Sequence, residues 1–88
     1  MEHKAILVTG GSRGIGRSTA LKAGRLGWGV AVNYHSAVEA AETVADEIGR
    51  SGGRAVTVEG DVASEPDVAR MFATAEEALG PLDGVVVN

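Results

Sequence analysis

The residues best suited to chemistry are Val8-Thr9-Gly10-Gly11-Ser12-Arg13-Gly14-Ile15-Gly16. They follow an apolar run, Lys4 to Thr9, and open a segment of helical period. The N–H groups in a helix's first turn lack intrahelical partners, and the helix dipole is positive there. A phosphate is the natural ligand of such an end. Glycine removes the Cβ that would hold an anion away, and it permits positive φ. Four glycines in seven positions, Gly10 to Gly16, exceed what a tight βα turn alone requires. Gly10, Gly11, Ser12, Arg13, Gly14, Ile15 and Gly16 are therefore the candidate phosphate contacts. The backbone amides between Thr9 and Gly16 are the expected pocket.

Three phosphate-binding templates compete for this segment. The dinucleotide template G-x-G-x-x-G fits only in part, because Thr19 stands where the third glycine belongs. The template G-x-x-x-x-G-K-[ST] nearly fits Gly11 to Ser18, but Arg17 replaces its lysine. A planar guanidinium is a poor substitute for a compact ammonium inside a phosphate cradle. The template T-G-x-x-x-G-x-G is matched in full by Thr9, Gly10, Gly14 and Gly16.

The elements that must hold this turn can be read from periodicity. Lys4–Thr9, Gly29–Asn33, Arg54–Val58 and Leu82–Val87 read as strands. Residues 15–26 read as a helix with a face at Ile15, Thr19, Ala23 and Leu26, ended by Gly27 and Gly29. Ser36-Ala37-Val38-Glu39 reads as a capping box ahead of a helix that buries Val38, Ala41, Ala45 and Ile48. Ser64 caps a third helix with Pro66 in its first turn and a face at Val68, Met71, Phe72, Ala75 and Leu79. The pattern is β-α-β-α-β-α-β with short loops, which implies an α/β protein with a parallel sheet. Right-handed crossovers are nearly obligatory in such a sheet.

Composition bounds the function. With 88 residues the chain suffices for one domain. A domain of this size buries only about 60–65 % of the surface of its unfolded chain. Apolar residues make up 44 % and charged residues 23 %, ordinary for a globular protein. The absence of cysteine excludes disulfides, thiolate nucleophiles and Cys-zinc sites. No apolar run approaches the roughly 18–20 residues of a membrane span. Ala5 to Thr9 is too short for the core of a signal peptide, so a cytoplasmic location is the expectation. The net charge of −4 argues against nucleic acid as a partner. It hides an asymmetry. Residues 1–27 carry five basic side chains against Glu2 alone, net +4, whereas residues 28–88 carry three against eleven acids, net −8. Either the basic end is a solvated helix face, or it faces an anion.

The glycine motif, Asp61-Val62 after the third strand, and Val85-Val86-Val87-Asn88 together resemble the classical short-chain dehydrogenases/reductases. Asp61-Val62 is similar to the family's adenine-binding Asp-Val. Val85 to Asn88 is similar to the start of its Asn-Asn-Ala-Gly segment, through the first asparagine. The resemblance extends over the whole chain. It implies a partial Rossmann (doubly wound) sheet of strand order 3-2-1-4, and a nicotinamide dinucleotide on the glycine turn.

The choice between dinucleotides rests on the end of the second strand. An NAD site usually carries an acid there, about 20 residues beyond the glycines, to bind the ribose 2′-hydroxyl. Here the strand ends Val32-Asn33-Tyr34-His35-Ser36, and no acid appears before Glu39. That leaves room for the 2′-phosphate of NADP (NADPH). Arg13 can hold such a phosphate through two parallel N–H bonds. Asn33, His35 and Ser36 are candidate additional donors, with Tyr34 among them or closing the core edge. An arginine just before the middle glycine also resembles NADP-preferring members. The plainer alternatives are a surface charge for Arg13, a solvated loop residue for His35, and an acid approaching a helix N-terminus for Asp61.

No catalytic residue and no metal constellation is expected in this sequence. The resemblance implies a serine, a tyrosine and a lysine on later elements. Tyr34 and Lys4 are not substitutes, since they fall at opposite ends of their strands. Ser12 has no base beside it and is more plausible as a phosphate contact. His3 falls at the far end of the first strand from the turn. The fourth strand would lie at a sheet edge, with Leu82 and Val85 to Val87 unpaired and part of the Ile6/Val8 or Leu7 face bare. Residues 1–88 therefore read as the N-terminal, NADP-binding half of a Rossmann domain in an oxidoreductase, an incomplete chain. Its partners would be the dinucleotide and either the missing C-terminal half or a second copy on the strand-4 edge. The alternatives are a non-catalytic nucleotide-binding module or minimal Rossmann unit and, disfavoured by Arg17, a phosphate hydrolase.

Overall fold

The computed structural model describes residues 4–88; His3 lies outside them. The elements are β1 (Ala5–Val8), α1 (Gly14–Arg25), β2 (Gly29–Tyr34), α2 (Val38–Arg50), β3 (Arg54–Glu59), α3 (Glu65–Leu79) and β4 (Gly84–Val86). The four strands are parallel and lie in the order β3-β2-β1-β4, the doubly wound order expected. Ile6 of β1 lies opposite Val30 of β2 and Gly84 of β4.

Successive side chains of a strand point to opposite faces. Ile6, Val8, Val30 and Val32 therefore meet Ala20 and Ala23 of α1 and Ala41, Val44 and Ile48 of α2. Ala5, Leu7, Ala31 and Val58 meet Met71, Ala75 and Leu79 of α3 on the other face. A sheet covered on both faces needs strands that are apolar throughout, and β1 is such a strand. Leu7 and Val8 are fully buried. Burial of each stabilises the fold by about 1.5–3 kcal/mol.

Three local expectations are corrected. The buried face of α1 is Gly16, Ala20, Ala23 and Gly24. Ile15 is instead 76 % exposed and Leu26 67 % exposed. The period is helical but its phase differs, because α2 and the turn approach α1 too closely for large side chains. A Cβ on Gly24 would lie 2.6 Å from Ile48 Cγ2. The capping box at Ser36 and Glu39 does not form. Ala37 is the N-cap of α2 and its side chain offers no hydrogen bond. The chain turns at Ser36 itself, whose carbonyl accepts from Val38 N at 3.1 Å, so Ser36 stands one residue too early to cap. Within α2, Ala41, Val44 and Ile48 are buried, whereas Val38 is exposed.

The third correction concerns β4, which is shorter than the expected Leu82–Val87. Leu82 N donates to Glu76 Oε2, and Asn88 N donates to a side chain rather than to the ladder. Ile6, Leu7 and Val8 are all buried, so β1 is not the bare element. Exposure falls on β4 and its continuation, where Val87 is 82 % exposed. Two apolar grooves flank β4. One, about 430 Å³, runs between α1 and β4 past Ile6, Leu26 and Trp28. The other, about 380 Å³, lies between α3 and β4 past Val62, Phe72 and Val87.

Candidate functional site

The turn Thr9–Arg13 carries the chain from the carboxyl end of β1 into α1. His35-Ser36 leaves β2, Gly60-Asp61-Val62 leaves β3 and Asn88 follows β4, all at the same sheet edge. The order of winding reverses between β1 and β4. In open α/β sheets ligands bind outside the carboxyl ends of the strands at such a switch point.

The turn is built by two different uses of glycine. Gly14 has φ +55° and nothing within 4 Å of where a Cβ would stand, so only its backbone conformation calls for glycine. At Gly16 the demand is space. A Cβ there would run into the carbonyl oxygen of Gly10 and come within 2.9 Å of Asn88 Nδ2. Glycine at that position lets α1 start against the strand end.

The amides of the turn divide into two groups. Thr9 N donates to Val86 O at 2.9 Å, Gly10 N to Asn33 Oδ1 at 3.1 Å and Gly11 N to Asn33 O at 3.1 Å. These three are spent within the protein, which narrows the pocket expected from Thr9 to Gly16. Among the described residues, the amides of Ser12, Arg13, Gly14, Ile15 and Gly16 find no acceptor, and the ladder of α1 begins with Arg17 N to Arg13 O. The N-cap of α1 is Arg13 in extended conformation, with no side-chain cap and no acid in the first turn. The other helices differ, since α2 has Glu39 in its first turn and α3 has Glu65 and Asp67. Among the described residues the positive end of α1 thus has neither a side-chain cap nor an acid in its own first turn.

The charges around the turn are sorted by their partners. Arg17 Nη2 lies 2.8 Å from Glu47 Oε1 and ties α1 to α2. Arg13 is exposed and carries no ion pair among the described residues. Lys4 lies over the Trp28 ring, 5.4 Å from its centroid, at the opposite end of the sheet from Tyr34.

At the end of β2, Asn33 is 3 % exposed. Its Oδ1 accepts from Gly10 N, and its Nδ2 donates to Val58 O and Gly60 O, both at 3.2 Å. The expectation that Asn33 donates to a phosphate is corrected, because its amide is committed inside the protein. Tyr34 packs half-buried against the α1–α2 core. His35 and Ser36 are exposed beside it.

Asp61 and Val62 open the loop before α3. Asp61 Oδ1 accepts from Ala63 N and Asp61 O from Ser64 N, both at 2.9 Å, so the carboxylate shapes the approach to the helix. Val62 is exposed. Asp67 was not singled out in the sequence, yet its Oδ2 accepts from Asp61 N at 2.9 Å. That bond holds the Asp67 carboxyl below the ordinary carboxylate range, with Arg70 3.7 Å away adding to the effect. The legible signal was Ser64-x-x-Asp67, a capping box in type. Ser64 Oγ accepts from Asp67 N at 3.4 Å, as its half of that pattern requires.

Asn88 closes the far side, where its Nδ2 donates to Gly10 O at 3.4 Å. The structure therefore gathers the glycine turn, His35-Ser36, Asp61-Val62 and Asn88 along one edge, with Asn33 beneath them. Among the described residues no group of three His, Cys, Asp or Glu side chains is placed to hold a metal ion. No helix among them is long and apolar enough to cross a membrane.

Comparison with known proteins agrees with this geometry. Residues 4–88 match the family model described as short chain dehydrogenase. Hydroxynaphthalene reductase-like protein Arp2 of Metarhizium robertsii is 46 % identical over 85 residues, 97 % of this chain and 32 % of that protein. Uncharacterized oxidoreductase YgfF of Escherichia coli is 44 % identical over 82 residues, 93 % of this chain and 33 % of its own length. The crystal structure of a dehydrogenase/reductase from Sinorhizobium meliloti 1021 superposes with a TM-score of 0.95 at 39 % identity, covering 100 % of this chain and 35 % of that one. The chain thus spans about a third of the length of the curated relatives it matches. A parallel sheet wound in the order β3-β2-β1-β4, a glycine turn at its switch point and a match over residues 4–88 lead to one conclusion: the chain belongs to the short chain dehydrogenase family.

Proposed function

We propose that this chain is the NADP(H)-binding part of an oxidoreductase that moves hydride between nicotinamide and a carbonyl or alcohol substrate. The observation that carries this reading is the uncapped, acid-free start of α1, with the free amides of Ser12 to Gly16 beside an exposed Arg13. A cradle of that kind fits the pyrophosphate of a dinucleotide. Arg13 fits the 2′-phosphate, with His35 and Ser36 as neighbouring donors. No acid stands at the end of β2 to repel that phosphate before Glu39. Val62 offers an apolar contact and Asp61 a polar one to the adenine, and Asn88 borders the cleft from β4. A bound nicotinamide dinucleotide supplies or accepts the hydride, and the residues present here bind and orient it. The residues that act on the substrate belong to the rest of a longer reductase in this reading. That remainder, or a second copy, also covers the free edge of β4 and its two grooves. Cytoplasmic residence is part of the same reading.

The test is titration with NADPH, NADH and Mg-ATP, followed by nicotinamide fluorescence and calorimetry. Arg13→Ala is expected to weaken NADPH by about 10–100-fold, the value of a bidentate charged contact, and NADH by no more than about threefold. Equal losses for both dinucleotides remove the NADP assignment. Tight Mg-ATP without NADPH binding removes the redox reading altogether.

A further inference from the structure

Asn33 hydrogen-bonds to two loops at once. Toward the glycine turn, its Oδ1 holds Gly10 N and its backbone carbonyl holds Gly11 N, both at 3.1 Å. Toward the loop after β3, its Nδ2 reaches Val58 O and Gly60 O, both at 3.2 Å. An amide has two N–H donors, and these two carbonyls are their shortest acceptors, with Tyr34 O at 3.4 Å and Met71 Sδ at 3.7 Å beside them. The orientation of the amide is fixed by its neighbours, since a flipped group would set N–H against the N–H of Gly10. The side chain is sealed in the sheet and cannot touch a ligand directly. Gly60 is followed at once by Asp61 and Val62, and Gly10 by the cradle.

We infer that Asn33 is a positioning residue that locks the phosphate turn to the Asp61-Val62 loop, so that occupancy of the turn is transmitted to the loop. This rests on the reading of the turn as a phosphate site. The chemistry explains why asparagine suits the position. Aspartate would keep the acceptor for Gly10 N but set a second oxygen against two carbonyls. Serine is too short to reach both loops. An aliphatic side chain would remove the acceptor of Gly10 N and the donor to the buried Gly60 O.

The experiment follows backbone amide signals by NMR in the unmodified protein, Asn33→Asp and Asn33→Ser, each confirmed folded by circular dichroism. Sodium pyrophosphate is the probe. In the unmodified protein it is expected to shift the amides of Gly14 to Gly16 and also those of Asp61 to Ala63. In the variants the response at Gly14 to Gly16 remains at about tenfold weaker affinity, and the response at Asp61 to Ala63 is lost. A shift confined to the turn in the unmodified protein, or an undiminished response at the loop in a folded variant, overturns the inference. Hydrogen exchange without any probe gives an independent reading. Asn33→Ser, which loses both sets of side-chain bonds, is expected to speed exchange at Gly10-Gly11 and at Asp61 to Ala63 together, by tenfold or more. Acceleration at one loop alone in that variant overturns the coupling. If the unmodified protein takes no pyrophosphate while both loops open together in Asn33→Ser, the phosphate reading fails and the mechanical link stands.

Discussion

The amide of Asn88 donates to the hydroxyl of Thr9 at 3.0 Å, across 79 residues of chain. The same hydroxyl lies 3.3 Å from Val86 O, to which it donates. Thr9 therefore fastens the end of β4 to the start of the glycine turn with one side chain. Thr9→Val keeps the shape and removes both bonds. It is expected to lower stability by about 1 kcal/mol, because Asn88 is exposed and water replaces part of the loss. Urea unfolding measures this, and an unchanged midpoint would show that β4 is held by its ladder alone.

The two glycines of the turn should respond differently to alanine. Gly14→Ala meets no atom and has only its positive φ to bear, about 1–2 kcal/mol. Gly16→Ala drives a methyl into the carbonyl of Gly10, so α1 must shift away from the strand end. We expect a larger loss, about 3 kcal/mol, together with loss of the dinucleotide binding proposed for the turn. Chemical denaturation of both variants checks the ranking, and the reverse order would mean that α1 can slide freely.

Gly24 sets two effects against each other. Alanine is the better helix former by about 1 kcal/mol. Its methyl would lie 2.6 Å from Ile48 Cγ2, and overpacking of that kind costs about 1–3 kcal/mol. Gly24→Ala should therefore be destabilising on its own. In an Ile48→Ala background the contacts to Cγ2 and Cγ1 are gone and only the 3.2 Å approach to Cβ remains, so the same change should be clearly less destabilising. A double-mutant cycle with no coupling would place the tight contact elsewhere.

Asp67 gives a pH dependence with a definite sign. Its folded-state pKa is lowered from 3.8, chiefly by the bond from Asp61 N. A depressed acid adds stability that is fully present above its unfolded value and is lost as pH falls through the lowered folded value. The unmodified protein should lose melting temperature as pH drops below 3.8. Asp67→Asn should melt lower at neutral pH and show a smaller acid-induced loss. The two curves should converge once the pH has fallen below the lowered folded-state value. A constant offset from neutral pH down to that point would show that the carboxylate charge contributes nothing.

Much of this architecture is legible along the chain. The order of elements and the parallel sheet follow from apolar runs, glycine breaks and short loops, each a local property, whereas the strand order is implied only by the family resemblance. The glycine turn is legible because phosphate chemistry needs small residues at fixed spacing, as in Thr9, Gly10, Gly14 and Gly16. Asp61-Val62 is legible as a motif but not as a contact, since Asp61 also shapes the entry to α3.

What remained hidden is what depends on who comes near whom. A helical period reveals that α1 has a buried face, but its phase is set by how closely α2 approaches, and that turned Ile15 and Leu26 outward. Asn33 looks from its position like a donor for a ligand, yet the fold brings Gly10, Val58 and Gly60 within its reach and spends it inside. Residue type and spacing are written in the chain itself, so they decide elements and motifs. The pairing of a buried donor with its acceptor is settled only when distant segments pack, because burial leaves each polar group no partner except those the packing supplies.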